Sequence, residues 1–399
     1  MAGSVISLRE HHPSVVDLDA LTARMLSEHS ASKISVEPCT GGWRVTPSEM
    51  VGVFEVNGTR FIVEPKIPIS NVFGLLDVDL SSFHISRETF EYGSESNLLV
   101  GLVRLFAEGL DLALSQGLRH DYVERFESLN SIRGRVDFAL LARSPGIAIP
   151  TPCRFDEYTA NVRVNQLLLS AIEVAVGVPG VPAREIVRLR RHLAAFEEVD
   201  HHRGSVDWVD AWVPNRMERH YISAVKPAAL ILRNQSTALS SGGSTASAFL
   251  VDMNRLVEKF IEDRVGRYLE SGLRLEPQKT RWLDAGRVVS YRPDLVVARE
   301  GHPIAVADVK YKAVDDWSEV GNADIYQVHT YAQALGLDRA VLVTCTADRP
   351  SNPRDTVVVS QTGVEVVLWP IDLSVPIPEI DAQLLELALY LGDSKSVEY

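Results

Sequence analysis

Two apolar runs joined by a short turn decide how this chain should fold: residues 291–297 read YRPDLVV, and residues 304–312 read IAVADVKYK. Both runs are rich in β-branched residues and a polar turn separates them, so the pattern predicts a strand, a turn and a second strand. Because successive side chains of a strand point to opposite faces, Asp308 and Lys310 should share one face of the second strand. If the two strands pair, Asp294 in the first strand lies beside Asp308.

These three charged residues suggest a metal site. Two neighbouring carboxylates, from Asp294 and Asp308, suit a hard divalent cation. Such a cation activates a water molecule against a phosphodiester, and the ammonium group of Lys310 would stabilise charge or help to deprotonate the water. The alternative interpretation is a surface salt bridge between neighbouring strands, which is a common use of such charges.

Helical patterns on both sides of the two strands add three candidate residues. Residues 252–261 read DMNRLVEKFI, in which apolar residues recur at helical spacing. Glu258 lies off the centre of that apolar stripe, where it either reaches a metal or is an ordinary solvated glutamate. Farther along, Gln327 and Tyr331 stand four residues apart, so they project from the same face of a predicted helix.

The order of these features resembles the PD-(D/E)XK nuclease superfamily, particularly its RecB-like branch. The shared order is a helix, a Pro-Asp strand, an Asp-x-Lys strand and a helix with Gln-x-x-x-Tyr. This resemblance implies that Asp294, Asp308 and Lys310 are the catalytic set. It also implies that Gln327 and Tyr331 support the active site and the DNA backbone.

The expected reaction is Mg²⁺-dependent hydrolysis of DNA phosphodiesters. Asp294 and Asp308 would ligate Mg²⁺, for which Mn²⁺ could substitute. The carbonyl of Val309 and water molecules would complete an octahedral shell. The resemblance carries Glu258 over as a further metal ligand.

Composition and charge describe an ordinary soluble protein. The chain has 399 residues, 46% hydrophobic and 23% charged, enough for two or three domains. Its net charge of −13 argues against binding nucleic acid by bulk electrostatics, although an acidic metal site and a protein partner both use negative charge. Cys39, Cys153 and Cys345 form no Cys-x-x-Cys pair, which excludes a zinc ribbon or a four-cysteine iron–sulfur cluster. The chain shows no signal-peptide pattern and no apolar run of membrane length, so we expect a cytoplasmic protein without membrane contact.

Residue patterns divide the chain into three regions. Residues 1–95 are mainly β in character and include Asn57-Gly58 between two alternating strands, a strong hairpin signal. Residues 96–245 look mainly helical and end in a polar, glycine- and serine-rich stretch that we expect to be a flexible linker. Residues 246–399 should form an α/β nuclease domain, with a mixed central sheet flanked by helices. The sequence contains no Gly-x-x-x-x-Gly-Lys-Ser/Thr loop, so the chain should not hydrolyse nucleotides itself.

Further segments extend a family resemblance over roughly residues 50–399. They are EPKI at 64–67, GLRHDYV at 117–123, the Arg-Gly-Arg core of 129–138, FDEYT at 155–159 with Asn165, and DMN at 252–254. Together with the nuclease features they resemble the McrC family, the nuclease subunits of McrBC-type, modification-dependent restriction systems. The resemblance implies that the N-terminal region, residues 1–95, docks on a hexameric AAA+ GTPase partner, McrB, and stimulates its hydrolysis. It further implies that the partner reads modified cytosine and translocates double-stranded DNA, which the McrC subunit cuts.

Two other functions stay open at this point. In the first, the chain is mainly an activator of its NTPase partner, and comparing an isolated 1–240 fragment with the full chain in a partner GTPase assay would distinguish it. In the second, the chain is a stand-alone RecB-like repair or recombination nuclease. An adjacent reading frame for an AAA+ protein would favour the restriction system instead.

Overall fold

The structure is a computed structural model that describes residues 4–29, 33–76, 98–143, 149–178, 180–216, 218–233, 235–236, 248–312, 320–346 and 355–393. Its first part alternates strands with two helices: β1 (Val5–Arg9), β2 (Ser14–Val16), α1 (Ala20–His29), β3 (Ile34–Cys39), β4 (Gly42–Pro47), β5 (Met50–Val56), β6 (Thr59–Glu64) and α2 (Ile69–Leu75). The predicted hairpin is confirmed, because β5 and β6 pair antiparallel around Asn57 and Gly58. Both turn residues have positive φ angles, 49° and 75°, as a type I′ turn requires.

The middle part combines long helices with a small sheet. Its elements are α3 (Leu98–Leu114), β7 (Asp121–Leu129), β8 (Arg135–Val136), α4 (Phe138–Leu141), β9 (Thr151–Thr159), α5 (Arg163–Gly177), α6 (Ala183–His192), α7 (Ile222–Arg233) and β10 (Gln235–Ser236). Helices α3 and α5 pack against α7, in agreement with the predicted helical character.

The sheet of β7, β9 and β8, in that order, is not expected from a mainly helical region. Sequence analysis missed its extent because no residue of β7 is buried. A strand that is solvated on both faces lacks the alternation of apolar and polar residues that marks a half-buried strand. We call the three strands β7, β8 and β9 the projecting sheet.

The last part holds a mixed sheet, as predicted, and this sheet has six strands in the described residues. Its elements are β11 (Ala248–Asp252), α8 (Met253–Tyr268), β12 (Leu273–Leu275), β13 (Arg281–Trp282), β14 (Ser290–Tyr291), β15 (Leu295–Arg299), β16 (His302–Lys310), α9 (Asn322–Leu335), β17 (Arg339–Thr346), β18 (Asp355–Val358), β19 (Glu365–Asp372) and α10 (Ile377–Gly392). The strand order is β12-β15-β16-β17-β19-β18. Strands β15 and β16 pair antiparallel, whereas β16, β17 and β19 are parallel.

Helices cover both faces of this sheet. One face packs against α8 and α10, for example through Ala307 and Val309 of β16. The other face packs against α9, where Val306 of β16 meets Val328 and Ala332 of the helix. No helix in the described ranges is both long enough and apolar enough to span a bilayer.

The N-terminal sheet reaches across the region boundary that we predicted at residue 245. Strand β11 follows the predicted linker, yet it pairs antiparallel with β5 in a sheet of order β1-β6-β5-β11-β10. The two strands approach so closely at Gly52 (φ 140°) that a Cβ atom there would overlap the carbonyl oxygen of Phe249. One continuous hydrophobic cluster runs from Val51 to Leu391. The division into three regions stays a prediction, and most of the predicted linker and the boundary at residue 95 lie outside the described residues.

Candidate active site

The candidate site forms where β15 begins and β16 ends. Leu295 pairs with Ala307, so the antiparallel register places Asp294 opposite Asp308. The carboxylate of Asp294 accepts a hydrogen bond from the backbone N–H of Val309, at 2.8 Å. The alternation of faces is as predicted, because Asp308 lies on the side of α9 while its neighbours Ala307 and Val309 lie in the opposite core.

The two aspartates form a buried pair in which each carboxyl group affects the pKa of the other. Burial raises the pKa of both, and the charge of Asp294 adds to this effect, which brings the pKa of Asp308 to about 7. Because the two groups titrate together, the metal-free pair holds a proton up to about neutral pH. Two carboxyl groups this close cannot both ionise at neutral pH without a neighbouring cation.

Lys310 supplies a cation beside the two carboxyl groups. Its Nζ atom lies 2.7 Å from Oδ2 of Asp308. The ammonium group therefore forms a short ion pair with an Asp308 oxygen that is buried from solvent. Burial would lower the pKa of Lys310, but the carboxylates of Asp308 and Asp294 outweigh it and raise that pKa. Lys310 therefore stays an ammonium group at neutral pH.

The donor set fits a small divalent cation. Within a strand, the N–H and C=O of one residue point to the same side, so the carbonyl of Val309 faces the side on which its N–H meets Asp294. The two carboxylates and one carbonyl match the hard oxygen ligands of Mg²⁺, which keeps several waters and binds few protein groups. Across the described ranges, no three His, Cys, Asp or Glu side chains gather closely enough to hold one ion.

Glu258, the further predicted ligand, lies on α8 near the two aspartates, and its role as a metal ligand stays a prediction. Burial and then the charge of Asp308 raise its pKa. Its carboxylate accepts a hydrogen bond from Nε2 of Gln278, at 3.3 Å. The backbone N–H of Gln278 in turn donates to the carbonyl of Asp294, at 3.1 Å.

Gln278 is a site residue that sequence reasoning missed. Besides those contacts, its side-chain oxygen accepts a hydrogen bond from the guanidinium group of Arg292. It has a φ angle of 45° in the loop after β12, a conformation that few non-glycine residues adopt. Nothing in the local sequence marks this role, because a loop residue has no periodicity and its partners lie far away in sequence.

Gln327 and Tyr331 meet each other on α9, as their spacing predicts. Nε2 of Gln327 donates to the hydroxyl of Tyr331 at 2.6 Å, and that hydroxyl donates to the carbonyl of Arg292 at 3.5 Å. The ring of Tyr331 also stacks on Tyr291, with centroids 5.8 Å apart. These contacts brace the backbone just before Asp294 and do not touch the carboxylate pair directly.

A groove runs beside the carboxylate pair. One wall comes from the β13–β14 hairpin and includes Tyr291 and Arg292, and the other comes from α9 and includes Tyr326, Gln327 and Tyr331. Arg292 of the first wall stands two residues before Asp294, so the groove lies near the candidate site.

A second candidate surface is the projecting sheet. It exposes large aromatic side chains, with Tyr122, Phe126 and Tyr158 71%, 59% and 61% exposed. Arginine side chains lie over its aromatic rings: Arg154 is 4.4 Å from the ring centroid of Phe126. Exposed apolar clusters with arginine are typical of surfaces that bind another protein.

The fold and the site define a mixed α/β protein with a buried carboxylate pair and a lysine at the ends of its central strands. A family model described as McrBC 5-methylcytosine restriction system component matches residues 45–343, which is most of the chain. The chain therefore belongs to this family, and its resemblance to McrC is confirmed.

Solved structures resemble the chain, among them the two described next, and no curated protein matches it in sequence. A refined half-complex from a tetradecameric assembly of Thermococcus gammatolerans McrB AAA+ hexamers with bound McrC aligns with a TM-score of 0.62 and 17% identity, over 97% of this chain and 99% of that chain. The cryo-EM structure of the Thermococcus gammatolerans McrBC complex aligns with a TM-score of 0.45 and 18% identity, over 70% of this chain and 90% of that chain. At these identities the first structure supports a shared fold.

Proposed function

We propose that this chain is the DNA-cutting subunit of an McrBC-like, modification-dependent restriction system. In this proposal it is a Mg²⁺-dependent endodeoxyribonuclease of the PD-(D/E)XK type, acting on double-stranded DNA that carries 5-methylcytosine-type modification. The observation that carries the proposal is the buried pair of Asp294 and Asp308 with Lys310 beside it. A salt bridge alone does not explain the arrangement, because a lysine needs one carboxylate partner and a second carboxyl group buried beside the first is destabilising.

The chemistry follows from the donor set. A bound Mg²⁺, or Mn²⁺ in its place, would act as a Lewis acid and lower the pKa of a bound water molecule. The carboxylates of Asp294 and Asp308 and the carbonyl of Val309 would hold the ion. The ammonium group of Lys310 would orient the attacking water and offset the negative charge that develops on the phosphorane.

Proton occupancy of the site sets a condition on metal binding. The proton that the metal-free pair holds must leave before both carboxylates can ligate an ion. Since the pKa of Asp308 lies at about 7, we expect the site to bind metal more weakly as the pH falls below that value. Lys310 keeps its own proton throughout this range, which favours a role in charge stabilisation over a role as general base.

The partner in this proposal is an McrB-like AAA+ GTPase hexamer whose hydrolysis the chain stimulates. The chain lacks a phosphate-binding loop of its own, and its fold resembles a structure in which McrC is bound to McrB hexamers. The family resemblance implies a partner contact through residues 1–95. The exposed aromatic residues of the projecting sheet favour that sheet as the contact instead.

The nuclease proposal is tested with Asp308→Ala in the full chain, supplied with Mg²⁺, GTP, the partner and modified DNA. Loss of one preorganised group should reduce cleavage by on the order of 10² to 10³, while stimulation of the partner GTPase stays intact. Asp381→Ala is the matched control, because Asp381 on α10 forms an ion pair with Arg264 at 3.2 Å away from the carboxylate pair. An Asp308→Ala protein that cuts at the wild-type rate would rule out the assigned site.

The partner proposal is tested separately by replacing Tyr122 and Phe126 together with serine. GTPase stimulation should fall while the thermal midpoint is retained, because both side chains are exposed. Val187→Ser on α6, also exposed, is the control for loss of a surface apolar group. Normal GTPase stimulation by the double variant would mean that another surface of the chain contacts the partner.

A further inference from the structure

A buried cluster of Glu10, Lys66 and Tyr311 lies on the opposite side of β16 from the carboxylate pair. Nζ of Lys66 donates to the carbonyl of Tyr311 at 3.0 Å and stands 3.6 Å from the centroid of its ring. The hydroxyl of Tyr311 donates to Oε2 of Glu10 at 3.2 Å, and the backbone N–H of Lys66 donates to the same oxygen at 3.3 Å. Glu10 and Tyr311 are both only 3% exposed.

The cluster joins two distant parts of the sequence. Glu10 directly follows β1 and Lys66 lies two residues after β6, so both are held by the N-terminal sheet. Tyr311 is the residue after the end of β16, next to Lys310. The N-terminal sheet therefore grips the strand that carries Asp308 and Lys310, immediately beyond its last residue.

The end of β16 needs this support because it pairs with a neighbouring strand on one edge only. Residues 308–310 still pair with β17, but pairing with β15 stops at Ala307. On that open side, the contact that the structure gives the backbone is the one from Val309 to Asp294. A strand end with a partner on one edge only is free to twist, and a small twist would move the Lys310 ammonium away from Asp308.

The chemistry of the cluster is strong enough to fix the strand. Lys66 combines a charge-assisted hydrogen bond, a cation–π contact and attraction to the Glu10 carboxylate. The cation–π contact and the attraction to Glu10 are both sheltered from water, since Tyr311 and Glu10 are buried. Lys66 contacts both other members of the cluster, Tyr311 through its side chain and Glu10 through its backbone N–H, so it joins them.

We propose that Lys66 is a positioning residue for the active site: by clamping Tyr311 it fixes the end of β16 and so the placement of Asp308 and Lys310. This inference rests on the proposed nuclease function. Lys66 does not touch the reacting groups, because it lies on the far side of the strand.

The test measures metal binding as well as cleavage, in the full chain. Lys66→Met keeps the apolar stem but removes the donor and the charge, and Glu10→Gln/Lys66→Met also removes the buried carboxylate so that the fold does not bury an unpaired charge. Mn²⁺ titration by calorimetry reports on Asp294 and Asp308 without any turnover. We expect both variants to lose about 10- to 100-fold in Mn²⁺ affinity and in the cleavage rate with Mg²⁺, the range typical of residues that support a metal site.

Two comparisons make the result decisive. Lys33→Met removes another lysine that ties the N-terminal part to the rest, through an ion pair with Asp252 at 2.9 Å, and should leave Mn²⁺ affinity unchanged. The double variant should keep the thermal midpoint of the wild type while its Mn²⁺ affinity falls. If that variant binds Mn²⁺ and cuts DNA within about two-fold of wild type, while Asp308→Ala does neither, the positioning role is wrong and the nuclease stands. If Asp308→Ala binds Mn²⁺ and cuts normally, both proposals fall.

Discussion

The buried carboxylate pair should make the metal-free protein less stable at alkaline pH, and Asp308→Asn should remove that weakness. An asparagine has the shape of the protonated aspartate and can still donate a hydrogen bond to Asp294. It cannot ionise, however, and it is a poor ligand for Mg²⁺ in this site. The substitution should therefore stabilise the fold and abolish the proposed function at the same time.

The size of the effect follows from the pKa of Asp308, which burial raises from 3.8 to about 7. Each pKa unit corresponds to about 1.4 kcal/mol, so a folded chain with ionised Asp308 is disfavoured by on the order of 4 kcal/mol. This figure already includes the attraction of Lys310. Local relaxation around the pair reduces it, and we expect a gain of about 2–4 kcal/mol for Asp308→Asn above pH 7.

The direction of the Asp308 pKa shift determines the pH range over which the stability of the wild type changes. Below pH 3.8 the carboxyl group is protonated in the folded and the unfolded chain, so wild type and variant should be similar. Between pH 3.8 and about 7 the folded chain holds a proton that the unfolded chain has lost, and wild-type stability falls as the pH rises. Glu10 has a raised pKa of similar size, but it contributes equally to both proteins and cancels in the comparison.

Urea denaturation in EDTA at several pH values between 5 and 8.5 measures this difference. The free energy of unfolding of Asp308→Asn should exceed that of wild type by a margin that grows with pH. Added Mg²⁺ should then stabilise wild type, by about 2.7 kcal/mol at a hundred times its dissociation constant, and leave the variant unchanged. A variant that is less stable than wild type at pH 8, or that responds to Mg²⁺ as wild type does, would refute the assignment of Asp308 as a metal ligand whose ionised form destabilises the metal-free fold.

Two further substitutions test how the site and the sheet are held. Tyr331→Phe removes the hydroxyl that accepts from Gln327 and donates to the carbonyl of Arg292. It should lower kcat about 10-fold, as loss of an outer support does, with little change in the thermal midpoint. An unchanged kcat would mean that Gln327 and Tyr331 do not support the active site. Gly52→Ala forces a Cβ into the carbonyl oxygen of Phe249 at a φ of 140°; we expect a loss of more than about 2 kcal/mol in the free energy of unfolding, and a smaller loss in urea denaturation would mean that the two strands separate easily.

The geometry of the site was predictable where it depends on local periodicity. The two-residue period of β16 placed Asp308 and Lys310 on one face, and antiparallel pairing with the preceding strand brought Asp294 beside them. The four-residue spacing of Gln327 and Tyr331 likewise predicted their contact on α9. In each case the relevant distance is set within one element or between two elements adjacent in sequence.

What the sequence did not reveal depends on contacts between distant segments. Glu10 and Lys66 meet Tyr311 across more than half of the chain, and no local pattern announces such a meeting. Gln278 reaches Glu258 from a loop. The projecting sheet was missed for the opposite reason: it buries neither face of β7, so it lacks the apolar alternation by which strands are recognised.

The pairing of β11 with β5 changes which experiment can separate the nuclease from the partner-activating function. A fragment of residues 1–240 would lose β11, which lies between β5 and β10 in the N-terminal sheet. It would also lose Tyr311, which covers Glu10 and Lys66. Such a fragment exposes a strand edge and a buried carboxylate, so a missing GTPase stimulation would report misfolding as readily as function. Because one core joins both halves, the two functions are better separated by point substitutions in the full chain: Asp308→Ala for cutting, and Tyr122 with Phe126 for the partner.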